Sequence, residues 1–181
     1  MQISKAARRY ATALLQLAIE RDEVQGILND VQFIRNTLQD SRDLTLFLRS
    51  PIINRDDKHA VLEKLFREEV QELTYLFLKL MARKDRENLL EQIVEAFVDK
   101  YNEYAGIIKI DAYVAQDLSD DQATELKNAL EKETQKKVDL KIKKDTSLKG
   151  GLAVRIKDTV IDGTVKHKIN QLESLFSEST V

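Results

Sequence analysis

Few residues in this chain of 181 are of the types that carry catalysis, and their spacing argues against it. Histidine occurs twice, as His59 and His167, one in each half of the chain, and cysteine does not occur. Neither a His-x-x-x-His zinc pair nor a Ser-His-Asp arrangement can be assembled with support from that spacing. Without cysteine there are no thiolate zinc sites, cysteine nucleophiles or disulfides. His59, within RDDKHAVLEKLF, reads as an ordinary helix-surface residue. Gly150-Gly151 lacks the Lys-Ser/Thr and the following helix that a phosphate loop needs, so a tight turn between two strands accounts for it. With Gly163, which precedes the last predicted helix, these glycines are expected to serve backbone geometry where the chain reverses or a positive φ is useful. Carboxylates are numerous, but from Asp85 to Glu103 they alternate with basic residues as on a solvated helix face. No catalytic residue, cofactor site or metal site is assigned.

One charged stretch could touch phosphate. Lys136 to Lys149 carries six lysines against Asp139 and Asp145. No aromatic or arginine is interleaved, so base stacking and bidentate base contacts cannot be built from it. Outward lysines on a strand also protect an exposed edge from pairing with other chains. A nucleic-acid-binding adaptor working through Lys136–Lys149 is therefore the alternative function, and it predicts affinity that falls steeply with salt. The formal net charge of −2 gives the whole surface no strong pull on nucleic acid or anionic lipid.

The elements that position these residues are mostly helical at first. An apolar fraction of 43% rules out a wholly disordered chain. No stretch approaches the roughly 18 apolar residues that cross a bilayer. The start, MQISKAARRYATALLQLAIE, does not read as a signal peptide, so a soluble intracellular protein is expected. From Ser4 to Tyr104, apolar residues recur at helical spacing. They predict helices over Ser4–Glu20, Asp22–Gln39, the SRDLTLFLRS segment ended by Pro51, RDDKHAVLEKLFREE behind the capping residue Asn54, Val70–Lys84 and Asp85–Tyr104. Short connections make a compact six-helix bundle the simplest arrangement.

At Gly106 the period changes. IIKIDAYVA reads as a strand, SDDQATELKNALEKETQ as a helix opened by a Ser119/Gln122 capping box, and KKVDLKIKKD as a strand with Val138, Leu140 and Ile142 alternating. LAVRIK and TVID read as strands around a turn at Lys157-Asp158, and a last helix runs over about Thr164–Ser177. Ten of the eleven arginines precede residue 106, whereas twelve of the thirteen later basic residues are lysine. The expected class is α+β overall: a six-helix bundle domain over 1–105, then a small α/β domain over 106–181.

At about 100° per residue, Ala13, Ala6, Leu17, Tyr10, Ile3, Leu14, Ala7, Ala18, Ala11 and Leu15 cover an arc of roughly 200° on the first helix, about twice what one core stripe needs. On the fifth, only Gln71, Glu72, Lys79 and Arg83 are strongly polar between Val70 and Arg83, and the last three share one seam. A helix in the middle of a bundle can be buried on two sides, which is one explanation. The other is that the first and fifth helices lie side by side and form an apolar groove, where small residues such as Ala6 and Ala13 admit a partner's amphipathic helix.

AARRYATALLQLA, LMARKDRENLL and DTSLKGGLAVRIKDTVIDGTVKHKINQL resemble the delta subunit of the F-type ATP synthase, the bacterial counterpart of the oligomycin-sensitivity-conferring protein. The resemblance spans nearly the whole chain, and departs at Lys166-His167-Lys168, where relatives often carry Arg-Gly-Arg. It implies a non-catalytic stator subunit without a cofactor, involved in ATP synthesis and proton transport. Its helical domain would hold the N-terminal helix of an alpha subunit in a groove between the first and fifth helices. Tyr10 and Ala13, with Ala6 and Leu17, would face that helix from the first, and Leu76 and Leu80 from the fifth. The C-terminal domain would contact the ends of the stalk formed by the b subunits. The resemblance further implies no nucleic acid, and a peripheral place on the cytoplasmic side of a bacterial inner membrane, reached only through the complex.

Overall fold

The computed structural model describes residues 3–148, 150–156 and 159–163. The predicted turn at Lys157-Asp158 and the predicted last helix lie outside the described residues. The chain divides into two units, 1–104 and 105–181, and the described elements are mixed α+β.

The first unit contains α1 (Lys5–Glu20), α2 (Val24–Asp40), α3 (Arg42–Arg49), α4 (Arg55–Phe66), α5 (Glu72–Arg83), a 3-10 turn (Glu87–Leu89) and α6 (Leu90–Tyr104). The hydroxyls of Ser4 and Ser41 open α1 and α3 by accepting the N–H groups of Ala7 and Leu44, each at 3.2 Å. Asn54 differs from expectation: it stands at the start of α4 in extended backbone, but its side chain makes no capping bond. Asp56 and Asp57 in the first turn supply negative charge to the helix dipole instead.

Both α1 and α5 stop at an aspartate in the left-handed region, Asp22 at φ 56° and Asp85 at φ 53°. After α5, the N–H of Arg86 donates to the Met81 carbonyl at 2.9 Å and that of Asp85 to Ala82 at 3.2 Å, satisfying carbonyls the helix leaves over. Asp85 therefore ends a helix and does not begin one. The predicted sixth helix starts later, through the 3-10 turn, because this reversal uses up the intervening residues.

α6 lies against α1 and α2, while α5 packs on α4. Leu14, Ile27, Ile34, Phe66, Leu78 and Phe97 are among the side chains that fill the core. Each contributes about 1.5–3 kcal/mol of transfer free energy before ordering costs. Arg35 of α2 pairs with Glu95 of α6 at 2.7 Å, and the Ser4 N–H donates to Gln92 of α6 at 3.0 Å.

The second unit contains β1 (Ile107–Val114), α7 (Asp120–Thr134), β2 (Lys137–Lys144), β3 (Leu152–Ile156) and β4 (Thr159–Asp162), in the sheet order β2-β1-β3-β4. β1 and β2 are parallel, with α7 as their crossover, and the Ser119/Gln122 capping box opens α7. β1–β3 and β3–β4 are antiparallel. Ile110, Val138 and Val154 form the small core, with Leu130 of α7 packed on it. Along β2 burial fades from Val138, which is buried, through Leu140 to Ile142, which is 39% exposed.

The tight turn expected at Gly150-Gly151 is a longer connection. β2 and β3 lie on opposite sides of β1, so residues 145–151 must span a strand and cannot close a hairpin. Asp145 opens the connection by accepting the backbone N–H of Ser147 at 2.9 Å and its hydroxyl at 2.6 Å. The hydroxyl first, then the N–H, hold the Asp145 carboxyl below its ordinary range.

Candidate partner-binding surface

The wide apolar arc of α1 separates into two halves. Ala7, Ala11, Leu14, Leu15 and Ala18 are buried in the core of the first unit. Ala6 and Tyr10 are half-buried, Ala13 is exposed and Leu17 keeps 41% of its surface. α5 divides in the same way: Leu73, Thr74, Leu78, Met81 and Ala82 are buried, while Leu76 and Leu80 are 46% and 42% exposed. Within the unit, then, each helix leaves part of its apolar arc uncovered.

Tyr10 and Phe77 meet edge to face, with ring centroids 6.4 Å apart. Such a pair adds about 0.5–1.5 kcal/mol beyond its area burial. It brings the two helices alongside each other, although α1 packs its backbone chiefly on α6 and α5 on α4. Side chains span the seam between them. At 100° per residue, Ala6, Ala13 and Leu17 lie on the outward side of Tyr10, and Leu76 and Leu80 on the outward side of Phe77. Five of the six residues named from the resemblance thus flank an apolar seam, and the sixth, Tyr10, forms its floor with Phe77.

The position of α5 depends on residues that sequence reasoning passed over. Its first residues have no side-chain cap of their own. Asp30, buried in α2, replaces one: its Oδ2 accepts the Gln71 N–H at 2.9 Å and the Thr74 hydroxyl at 2.6 Å. One turn earlier on α2, the far end of the Gln71 side chain lies over Gly26, 2.1 Å from where a Cβ would stand. At the far end, Lys58 of α4 donates to Glu87 at 2.7 Å in a buried pair. The other Glu87 carboxylate oxygen has no hydrogen-bond partner. Asp30 left a trace in the sequence, as an acid beside Ile27, Val31 and Ile34 on the apolar arc of its helix. Phe77 left none that separates it from core leucines.

The lysine-rich stretch occupies the edge strand β2. Lys143 donates to Asp111 at 2.9 Å and lies 5.5 Å from the Tyr113 ring centroid, and Lys144 donates to Asp117 at 2.6 Å. The Asp111 hydrogen bond holds the Lys143 ammonium above its ordinary pKa. Nothing supports the nucleic-acid alternative. Gly150 and Gly151 have φ of 154° and 80°. Gly163 donates its N–H to the Leu152 carbonyl at 3.0 Å, and a Cβ there would stand 3.1 Å from that oxygen. His59 is half-exposed, 3.8 Å from Glu63, and His167 lies outside the described residues. Among the described residues no cluster of His, Asp or Glu could hold a metal ion, and no helix is long and apolar enough to cross a membrane.

The family model described as ATP synthase delta (OSCP) subunit matches residues 6–176. A protein named ATP synthase subunit delta from Chlorobaculum parvum is 43% identical over 174 residues, covering 96% of each chain. Its namesake from Chlorobaculum tepidum is 42% identical over 172 residues, covering 95% of each. In fold, the chain is similar to one in a cryo-EM structure of the Toxoplasma gondii mitochondrial ATP synthase hexamer, with TM-score 0.72, 21% identity, and coverage of 96% of this chain and 98% of that one. Extent and identity together place the chain: it belongs to the ATP synthase delta (OSCP) subunit family.

Proposed function

We propose that this chain is a non-catalytic stator subunit of a proton-translocating F-type ATP synthase, joining the catalytic head to the stalk of b subunits against rotor torque. In this reading residues 1–105 form a six-helix bundle domain that holds the N-terminal helix of an alpha subunit between α1 and α5. Ala6, Tyr10, Ala13, Leu17, Leu76 and Leu80 contact that helix. Residues 106–181 form the domain that engages the C-terminal ends of the b subunits. The subunit works on the cytoplasmic side of a bacterial inner membrane, attached only through the complex.

The observation that carries this reading is the exposed apolar seam on two neighbouring helices, in a member of this family. Torque resistance needs a contact that does not slip. Side chains interlocked with a partner helix meet that need, at about 1.5–3 kcal/mol for each buried Leu-sized group before association costs. The test is to solubilise membranes of the source organism mildly, capture this chain and identify what comes with it. ATP synthase alpha and b subunits are expected. Recovery of nucleic acid without either subunit would exclude the reading.

A further inference from the structure

We propose that the helix held between α1 and α5 carries acidic side chains on its shoulder facing α5, and that these enter a basic cleft between α4 and α5. The proposal rests on the groove reading above and specifies the chemistry of its occupant. The cleft, of about 270 Å³, is lined by Arg55, Asp56, His59, Lys79, Ala82 and Arg83. Four of these six side chains are basic, and Asp56 is the one acid.

The cleft adjoins the apolar seam through the geometry of α5. Lys79 and Arg83 follow Leu76 by three and seven positions, so at 100° per residue they lie within about 60° of it on the same exposed face. Any helix packed on Leu76 and Leu80 therefore meets these two cations along one flank. Glu72 shares their seam one turn earlier and is the acid opposing them there.

Elsewhere in the unit, five basic groups sit in ion pairs. Arg35 pairs with Glu95, Arg49 with Glu91, Lys58 with Glu87, Arg67 with Glu63 and Lys100 with Glu103. Within the cleft, Arg55 is committed to Asp85 and His59 stands beside Glu63. Among the described residues, Lys79 and Arg83 belong to no ion pair. Two unneutralised cations at the edge of an apolar contact favour carboxylates on whatever docks, and disfavour lysines there.

The proposal is tested with three designed 20-residue amphipathic peptides that share one Leu/Ala stripe and carry Glu, Gln or Lys along its α5-facing shoulder. Each is titrated into the full chain by calorimetry at low and high salt. The Glu peptide should bind about fivefold more tightly than the Gln peptide, the Lys peptide more weakly than both, and the preference should shrink at high salt. The double variant K79Q/R83Q, with its fold checked by circular dichroism, should abolish the preference for Glu over Gln. Equal binding of the Glu and Gln peptides, a preference that survives K79Q/R83Q, or no binding of the Glu peptide overturns the proposal. Ala13→Asp separates the two readings. Weaker binding of every peptide to this variant supports the groove, and with it a lost preference for Glu in the wild-type chain overturns the proposal alone. Unchanged binding to the variant overturns the groove assignment and the proposal with it.

Discussion

In the first unit several charged side chains neutralise one another across helices, as in Arg35–Glu95 and Arg49–Glu91, and apolar side chains are left exposed on α1 and α5. In the second unit the apolar side chains on the α7-covered face of the sheet form one small core, and the edge strand β2 presents lysines. The difference follows from backbone period. A strand alternates, so an apolar set on one face leaves polar side chains on the other. A helix turns by 100° per residue and can carry apolar groups over half its circumference, more than one neighbour covers. Excess apolar arc on a helix is thus a stronger sign of a missing partner than a charged strand is of nucleic acid.

The contrast predicts damage confined to one unit at a time, and the largest effect belongs to the buried pair. Glu87→Ala leaves the Lys58 ammonium buried without its carboxylate and should destabilise the first unit by about 3–5 kcal/mol. Urea unfolding followed at 222 nm should show a lower midpoint for the helix-dominated transition. Gly151→Val forces a β-branched side chain to φ near 80°. It should destabilise the second unit by about 2 kcal/mol and weaken binding to a fragment from the C-terminal end of a b subunit, while binding of an alpha N-terminal peptide changes little. Equal loss of both affinities would contradict the division of labour between the units.

Asp30→Ala removes the cap that α2 lends to α5 and should cost about 1–2 kcal/mol. Because α5 carries Leu76 and Leu80, this variant should also weaken the alpha peptide, and Asp30→Asn, which keeps an acceptor, should recover part of both losses. The smallest effect is at Asp145. Its folded-state pKa is depressed, so its contribution is present above the unfolded value and is lost as pH falls through the folded one. An NMR titration should place the Asp145 carboxyl midpoint below 3.8, and Ser147→Ala should raise it.

Most of the helices and all four described strands were legible, because each depends on local period and cap chemistry: Ser119/Gln122 opens α7 as its spacing requires. Excess apolar surface on α1 and α5 could be read as well, but its division into a buried and an exposed half could not, since that depends on which neighbours arrive. The longer-range devices were hidden for the same reason. Asp30 caps a helix 41 residues away in sequence, and Lys58 meets a carboxylate 29 residues on. The connection through Gly150-Gly151 was misjudged because a glycine pair between strands marks a change of direction, whereas strand order decides whether that change is a hairpin. Asp22 and Asp85 end helices in a conformation that glycine usually adopts, and this concealed the break before α6.

The most direct test of the central claim is a calorimetric titration of a peptide from the alpha N-terminus into the full chain and into its Ala13→Asp variant. Ala13 is exposed on α1, so the variant should keep the wild-type circular dichroism and thermal midpoint. A carboxylate facing an apolar partner helix should cost about 2–3 kcal/mol of binding, some 30- to 150-fold in affinity. Unchanged affinity in a folded variant would contradict the assignment of the α1/α5 seam as the place where the catalytic head is held.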